Sequence, residues 1–237
     1  MTPELINGWY LTTDQHLGTS DVSGVTDMQK YNAIKIWRYF RALGWSESAI
    51  AGIIGNAHLE SYLSPAYIQG THRSTLPNSA ASLSDVPNST MLSFYGSSGY
   101  GVGLVQWDGY TPNSPAGQKL VSYAIRNSLD WYNGDTQTSR IEFEYNGGYQ
   151  WQNATLWGTV WEWDNFIINT RSPEDSARIW QVCYEVADPD TLPTRQVNAR
   201  FWYDYLITNP PLPGAGGNHI LLWFSKPIKR GVKHVRI

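Results

Sequence analysis

Ser46-Glu47-Ser48-Ala49-Ile50-Ala51-Gly52-Ile53-Ile54-Gly55-Asn56-Ala57-His58-Leu59-Glu60-Ser61 is the stretch from which the fold is read. Ser46 supplies an N-cap, and Ile50, Ile53, Ile54 and Ala57 follow at the spacing of one buried helical stripe. Glu60 continues that stripe, three residues past Ala57 and seven past Ile53, so it points toward the interior rather than into water. Ser64 before Pro65 then disfavours helix. A carboxyl group at an apolar helix end, beside a polar loop, is the setting in which burial prepares a general acid. The other reading of the same segment is a buried Glu paired with an Arg or a backbone amide. The segment alone leaves both open.

Working outward, 237 residues are enough for one substantial core, and the chain reads as one domain plus a tail. It is heavy in Trp, with 12, and Tyr, with 15, which serve as core or as platforms for flat faces such as sugar rings. A single cysteine, Cys183, excludes an intramolecular disulfide and a thiolate zinc cluster, and reads as core. Residues 1 to 15 lack a basic region followed by an apolar run and do not read as a secretory signal. No apolar stretch reaches the length of a membrane span, so a target outside the cytoplasm calls for another means of delivery. The net charge of −3 hides an asymmetry. Residues 208 to 237 hold Lys226, Lys229, Arg230, Lys233 and Arg236 and no acid, so the remaining twelve basic against twenty acidic residues leave −8 on the body. The basic tail suits an anionic polymer, a membrane surface or an acidic protein, or is simply solvated. With an acidic body and no recognisable motif, nucleic-acid binding is not the reading.

Residues 1 to 28 read as an irregular arm packed by Trp9, Tyr10 and Leu11. The spacing of Ala33, Ile34, Trp37, Phe40 and Arg41 predicts a helix from about Asp27 to a terminator at Gly44, forming a helical hairpin with the Glu60 helix. Residues 64 to 117, rich in Ser, Gly and Pro, are too long for an ordinary loop and are expected to be functional or to carry a small sheet. Helix is expected again over Ala116 to Leu129 and over Thr155 to Asn169. Ser172-Pro173-Glu174-Asp175 is a helix start, with a cap, Pro at the first position and acids in the first turn, running to about Val186. A last helix runs from Pro193 to Ile207. Pro210, Pro211, Pro213, Gly214, Gly216 and Gly217 then make a linker, and His219 to Ser225 reads as a strand.

Gly99-Tyr100-Gly101-Val102-Gly103-Leu104-Val105-Gln106-Trp107 is the second informative block. Its glycines allow positive φ or close approach of a ligand, Leu104 and Val105 suit a cleft floor, and Gln106 offers an amide. It is not a phosphate loop, since no Gly-Lys-Ser/Thr follows. Taken alone, the block reads first as a glycine-rich turn into a strand. Together with Ile53 to Ser61 before it and Tyr184-Glu185 in a late helix, it resembles the phage tail lysozyme family, itself similar to goose-type lysozymes and soluble lytic transglycosylases. Those share a Glu-Ser step, a Gly-Leu-x-Gln step and a later aromatic helix motif. The resemblance covers about Tyr31 to Leu206.

The resemblance implies a mainly α-helical lysozyme-like domain, residues 29 to 207, with a long loop or small β-hairpin lobe as one cleft wall. Residues 1 to 28 are then an arm and 208 to 237 a Pro/Gly linker and basic tail. It assigns Glu60 as the acid that protonates the oxygen between N-acetylmuramic acid and N-acetylglucosamine, and Ser61, Gly103, Gln106, Trp107 and Tyr184 as substrate-site residues, with Glu185 structural. Val186-Ala187 stands where the family often has Arg-Pro, and Asp108-Gly109-Tyr110 replaces a more usual Thr-x-Arg stretch. An inverting hydrolase needs a second carboxylate about 6.5 to 9.5 Å from the acid, a retaining one about 5 Å. Asp108 is the first candidate because it follows the cleft block directly, with Glu142, Glu144 and Asp85 behind it. Transglycosylase-type relatives use one Glu and let the substrate's C6 hydroxyl attack. His16, His58 and His72 lack metal-ligand spacing, and no His-Glu-x-x-His occurs, which argues against a zinc amidase. No metal or organic cofactor is called for.

The expected function is thus a phage muramidase acting on peptidoglycan glycan strands. It would be carried in the virion tail for cell-wall penetration, or released from the host cytoplasm at lysis. The alternatives are a lytic transglycosylase and an inactive glycan-binding tail protein. Other tail proteins are the expected partners of residues 208 to 237, with no nucleic acid.

Overall fold

The computed structural model describes residues 4–11, 20–68, 87–89, 91, 101–107, 120–147 and 150–209. Its centre is helix α2, Glu47–Ser61, buried on nearly every side from Ala49 to His58. A helix that is apolar all round belongs inside a fold rather than on its surface. Ser46 caps it by accepting from the Ala49 amide at 3.2 Å. Before it, α1 (Asp27–Ala42) opens on a capping box between Thr26 and Gln29 and stops before Gly44, whose φ is 82°. The helical hairpin and its two boundaries are as the sequence predicts.

Four further helices follow: α3 (Leu120–Arg126), α4 (Gly134–Gly147), the short α5 (Trp163–Ile167) and α6 (Pro173–Trp180). Ser172 caps α6 by accepting from the Asp175 amide, as its sequence indicates. A wider π-type turn over Gln181–Glu185 extends α6 to Val186, and α7 (Leu192–Thr208) closes the described chain. Helices α6 and α7 pack on α2 at positions where it has no side chain. A Cβ on Gly52 would lie 2.7 Å from the Ser176 carbonyl carbon, and one on Gly55 would lie 2.6 Å from the Ala199 nitrogen. These glycines set the helix separation rather than break the helix. Among the described residues no helix is long and apolar enough to cross a membrane.

Two expectations are corrected, and one helix is added. The arm is not irregular: Glu4–Ile6 (β1) and Trp9–Leu11 (β2) pair antiparallel. Asn7 and Gly8, with φ of 52° and 75°, form a two-residue turn that matches strand twist. Trp9 is fully buried, and its indole donates to Asp135 at 3.0 Å, which fastens the hairpin to α4. The stretch expected to be helix from Thr155 to Asn169 is instead a second hairpin, Ala154–Leu156 (β3) with Thr159–Trp161 (β4), followed by α5. Trp157 and Gly158 take positive φ at its turn, which interrupts any helix there. Helix α4 was not anticipated at all. Of the long 64–117 segment, the described parts hold two isolated bridges, Ile68 to Val102 and Val102 to Trp107. The tail strand at His219 to Ser225 lies outside the described residues.

Candidate active site

Glu60 lies one residue from the C-terminus of α2, with its side chain 21% exposed. Its Oε1 accepts from Arg195 Nη2, a partner of the kind the second reading of this segment names. Arg195, in the first turn of α7, is 3% exposed and held at two further points. Nη1 donates to Asn56 Oδ1 at 2.8 Å and Nε to Thr191 Oγ1 at 3.0 Å. Asn56 is oriented in turn by donating to the carbonyls of Gly52 and Ala177 at 2.8 and 3.1 Å. A guanidinium fixed by this fork of bonds holds the carboxylate in one direction. Among the described residues Glu60 Oε2 takes no hydrogen bond.

The next residue joins two of the sequence blocks. Ser61 is buried and donates to the carbonyls of Ala57 and Leu104, both at 2.9 Å, so the glycine-rich segment is tied directly behind Glu60. Gln137 of α4 completes that tie. Its Oε1 accepts from the Leu104 amide at 2.7 Å, and its Nε2 donates to the carbonyls of Pro65 and Trp131. A Cβ on Gly103 would collide with Gln137, which accounts for that glycine by close approach as well as by its φ of 76°. Gln106 is partly exposed, and its amide Nε2 donates to the Gly103 carbonyl at 2.9 Å.

The late block enters from beneath. Tyr184 is fully buried, stacks on Trp180 at 4.0 Å between ring centroids, receives a hydrogen bond from Trp107 Nε1 at 3.0 Å and donates to Glu144 Oε2. Glu144 meets Arg140 Nη2 at 2.6 Å, close enough for an ion pair but not aligned as a hydrogen bond. Burial holds the Glu144 carboxyl above the ordinary carboxylate range despite Arg140, Tyr184 and Trp107. Glu185 Oε1 accepts from the Trp180 indole at 2.8 Å. Burial first, and then the charge of Glu60, push its carboxyl up to about 8 against the pull of Arg195.

The structure therefore brings together Glu60, Ser61, Gly103, Gln106, Trp107 and Tyr184. Ser61, Gly103, Trp107 and Tyr184 are buried and shape the site from below, while Glu60 and Gln106 reach its surface. Asp108 and Asp85 lie outside the described residues. Glu142 accepts from Tyr39 of α1 at 2.5 Å, and Glu144 sits under Trp107. Cys183 is buried, with its thiol pushed up to about 11 by that burial, which suits packing and not nucleophilic work. Arg195 and Gln137 escaped the sequence reading; a basic residue opening a helix was the one signal available for the first.

Backbone strain marks the same places. Tyr62 and Leu63 after Glu60, Gln106 in the loop and Val186 after Glu185 all take φ between 48° and 62°. For a β-branched residue such as Val186 this conformation is a true outlier, held only because its surroundings fix it.

A helical domain whose central helix ends in an acid, backed by a glycine-rich loop and a late aromatic turn, defines a lysozyme-like protein. The chain belongs to the phage tail lysozyme family, whose model matches residues 31–206. It is also similar to morphogenesis protein 1 of Bacillus phage B103, at 28% identity over 175 residues. That alignment takes in 74% of this chain and 39% of the phage protein, so the chain spans about two fifths of its relative's length.

Proposed function

We propose that the chain is a phage muramidase that hydrolyses the bond between N-acetylmuramic acid and N-acetylglucosamine in peptidoglycan. The observation that carries this reading is the Glu60 carboxyl, fixed by Arg195 through one oxygen and, among the described residues, unbonded through the other, beside the Gly101–Trp107 loop. Oε2 is the oxygen placed to carry a proton to the glycosidic oxygen as its bond to C1 breaks. Gln106 supplies a polar edge for the sugar, over a floor shaped by Ser61, Gly103, Trp107 and Tyr184. Asp108, next to Trp107 in sequence, is the proposed acceptor of the proton from the attacking water. Family membership and the resemblance to a phage morphogenesis protein support placement in the virion tail and action on the host wall during entry. Residues 208 to 237 are then the contact to other tail proteins.

Purified peptidoglycan digested with wild type and with Glu60→Gln, read by mass spectrometry of the released muropeptides, tests this. Reducing muropeptides that disappear in the variant are expected. Anhydro ends would make the protein a lytic transglycosylase, and no release from several wall types would leave a glycan-binding tail protein.

A further inference from the structure

The chain turns inward at once after Glu60. From Ser61 to Ile68 every residue is buried except Tyr62, which stays partly exposed two positions past the acid. Its neighbours fix it there. The Tyr62 amide donates to the His58 carbonyl at 3.1 Å and the Leu63 amide to the Ala57 carbonyl at 3.4 Å, the bonding that ends a helix on a left-handed residue. Leu63 is fully buried, and its carbonyl accepts from Asn32 at 2.9 Å. The backbone at Tyr62 is thus clamped on both sides.

Glycine would fill this position without strain, yet tyrosine holds it at a φ of 54°. Packing does not account for the choice. The Tyr62 ring meets that of Tyr67 at 5.2 Å between centroids and 75° between planes, a T-shaped contact that takes up at most one of its faces. Among the described residues its hydroxyl makes no hydrogen bond. A strained backbone that presents an aromatic face beside an acid argues for a ligand rather than for the core.

Two further observations say where that ligand lies. The Tyr67 carbonyl accepts from the Gly103 amide at 2.8 Å and from Gln106 Nε2 at 3.5 Å, so contacts run from Tyr62 through Tyr67 to Gln106 along the loop that backs Glu60. Trp107 and Tyr184, the aromatic residues that the sequence assigns to the site, are 5% and 1% exposed and have no ring face to offer.

Resting on the proposed function, we propose that Tyr62 is the sugar-binding aromatic of this site, stacking its open face on a pyranose of the glycan strand next to the bond that Glu60 cleaves. Tyr67 holds the ring in place before the sugar arrives, so little freedom is lost on binding.

Tyr62→Gly separates this role from a structural one, because glycine suits the backbone better while the ring is removed. Its Tm should equal or exceed that of wild type. On soluble glycan fragments KM should rise about fivefold or more, with kcat held within about twofold. Tyr62→Phe keeps the ring and should keep the wild-type KM. An unchanged KM in Tyr62→Gly, a Tm several degrees lower, or an equal loss in Tyr62→Phe would each overturn the proposal. Co-sedimentation with purified peptidoglycan sacculi reads binding without turnover. Adding Tyr62→Gly to Glu60→Gln should lower the bound fraction, and an equal fraction would defeat the proposal. If wild type releases no muropeptide while the bound fraction still falls, the muramidase reading fails and the sugar site stands.

Discussion

A carboxylate bonded to a buried guanidinium is both charged and aimed, and the two effects separate in substitutions of Arg195. Arg195→Lys keeps a cation but cannot bond Asn56, Thr191 and Glu60 together. We expect kcat to fall at least about tenfold with KM little changed, since orientation at the reacting bond is what is lost. Arg195→Met removes the charge as well and strands Glu60 and Asn56, so urea unfolding should show a loss of about 3 kcal/mol or more. Glu185 works with the opposite sign. A carboxyl raised above its ordinary value of 4.5 binds more protons folded than unfolded between about pH 4.5 and 8, so native stability falls as pH rises through that window. Glu185→Gln abolishes that dependence. Its Tm should therefore gain on wild type by a few degrees between pH 5 and pH 8, as thermal scans at matched ionic strength would show. Glu60 itself was legible because an acid on an apolar stripe contradicts the pattern around it. Arg195 was not, since its partner is 135 residues away and a helix-opening Arg is commonplace.

At the scale of elements, sequence succeeded where local chemistry decides and failed where a turn did. Ser46 and Ser172 cap the helices their residue types announce. The Asn7-Gly8 step is a strong hairpin signal that the surrounding polar arm obscured. Trp157-Gly158 is a weak one, because Trp seldom takes positive φ; here Arg171 and Arg178 lie 4.6 and 5.2 Å from its ring. Helix α4 opens on Gly134 and Asp135 and buries Gln137, Arg140 and Glu144, so its inner face is polar and no apolar stripe betrays it. The glycines of α2 carry a prediction of their own. In an open helix Gly→Ala gains about 1 kcal/mol, but at Gly55 the new Cβ meets the backbone of α7. Overpacking of this kind costs about 1 to 3 kcal/mol. Gly55→Ala should lower Tm by several degrees, and because α7 carries Arg195 it should also lower kcat.

For the molecule as a whole, the network under the site joins the glycine-rich loop and the late turn to α4 through residues that do no chemistry. Trp107 comes from the loop, Tyr184 from the late turn, and Arg140 with Glu144 from α4, and all four are buried. Arg140 also lies 5.6 Å from the Trp107 ring and 5.9 Å from that of Tyr123, while among the described residues its Nε and Nη1 find no acceptor. A buried pair so incompletely bonded adds little net stability, yet breaking it leaves an uncompensated charge. Arg140→Met alone should therefore destabilise by about 3 to 5 kcal/mol in urea unfolding. Replacing the whole pair, Arg140→Met with Glu144→Leu, should recover much of that loss, although Tyr184 then keeps a hydroxyl without its acceptor. Keeping Tyr184 leaves the buried Trp107 indole its acceptor. If the double variant is stable but its kcat is reduced, the network serves to register the loop and the late turn against Glu60. If stability is not recovered, the pair instead holds the core, and the polar inner face of α4 is a requirement of folding rather than of the site.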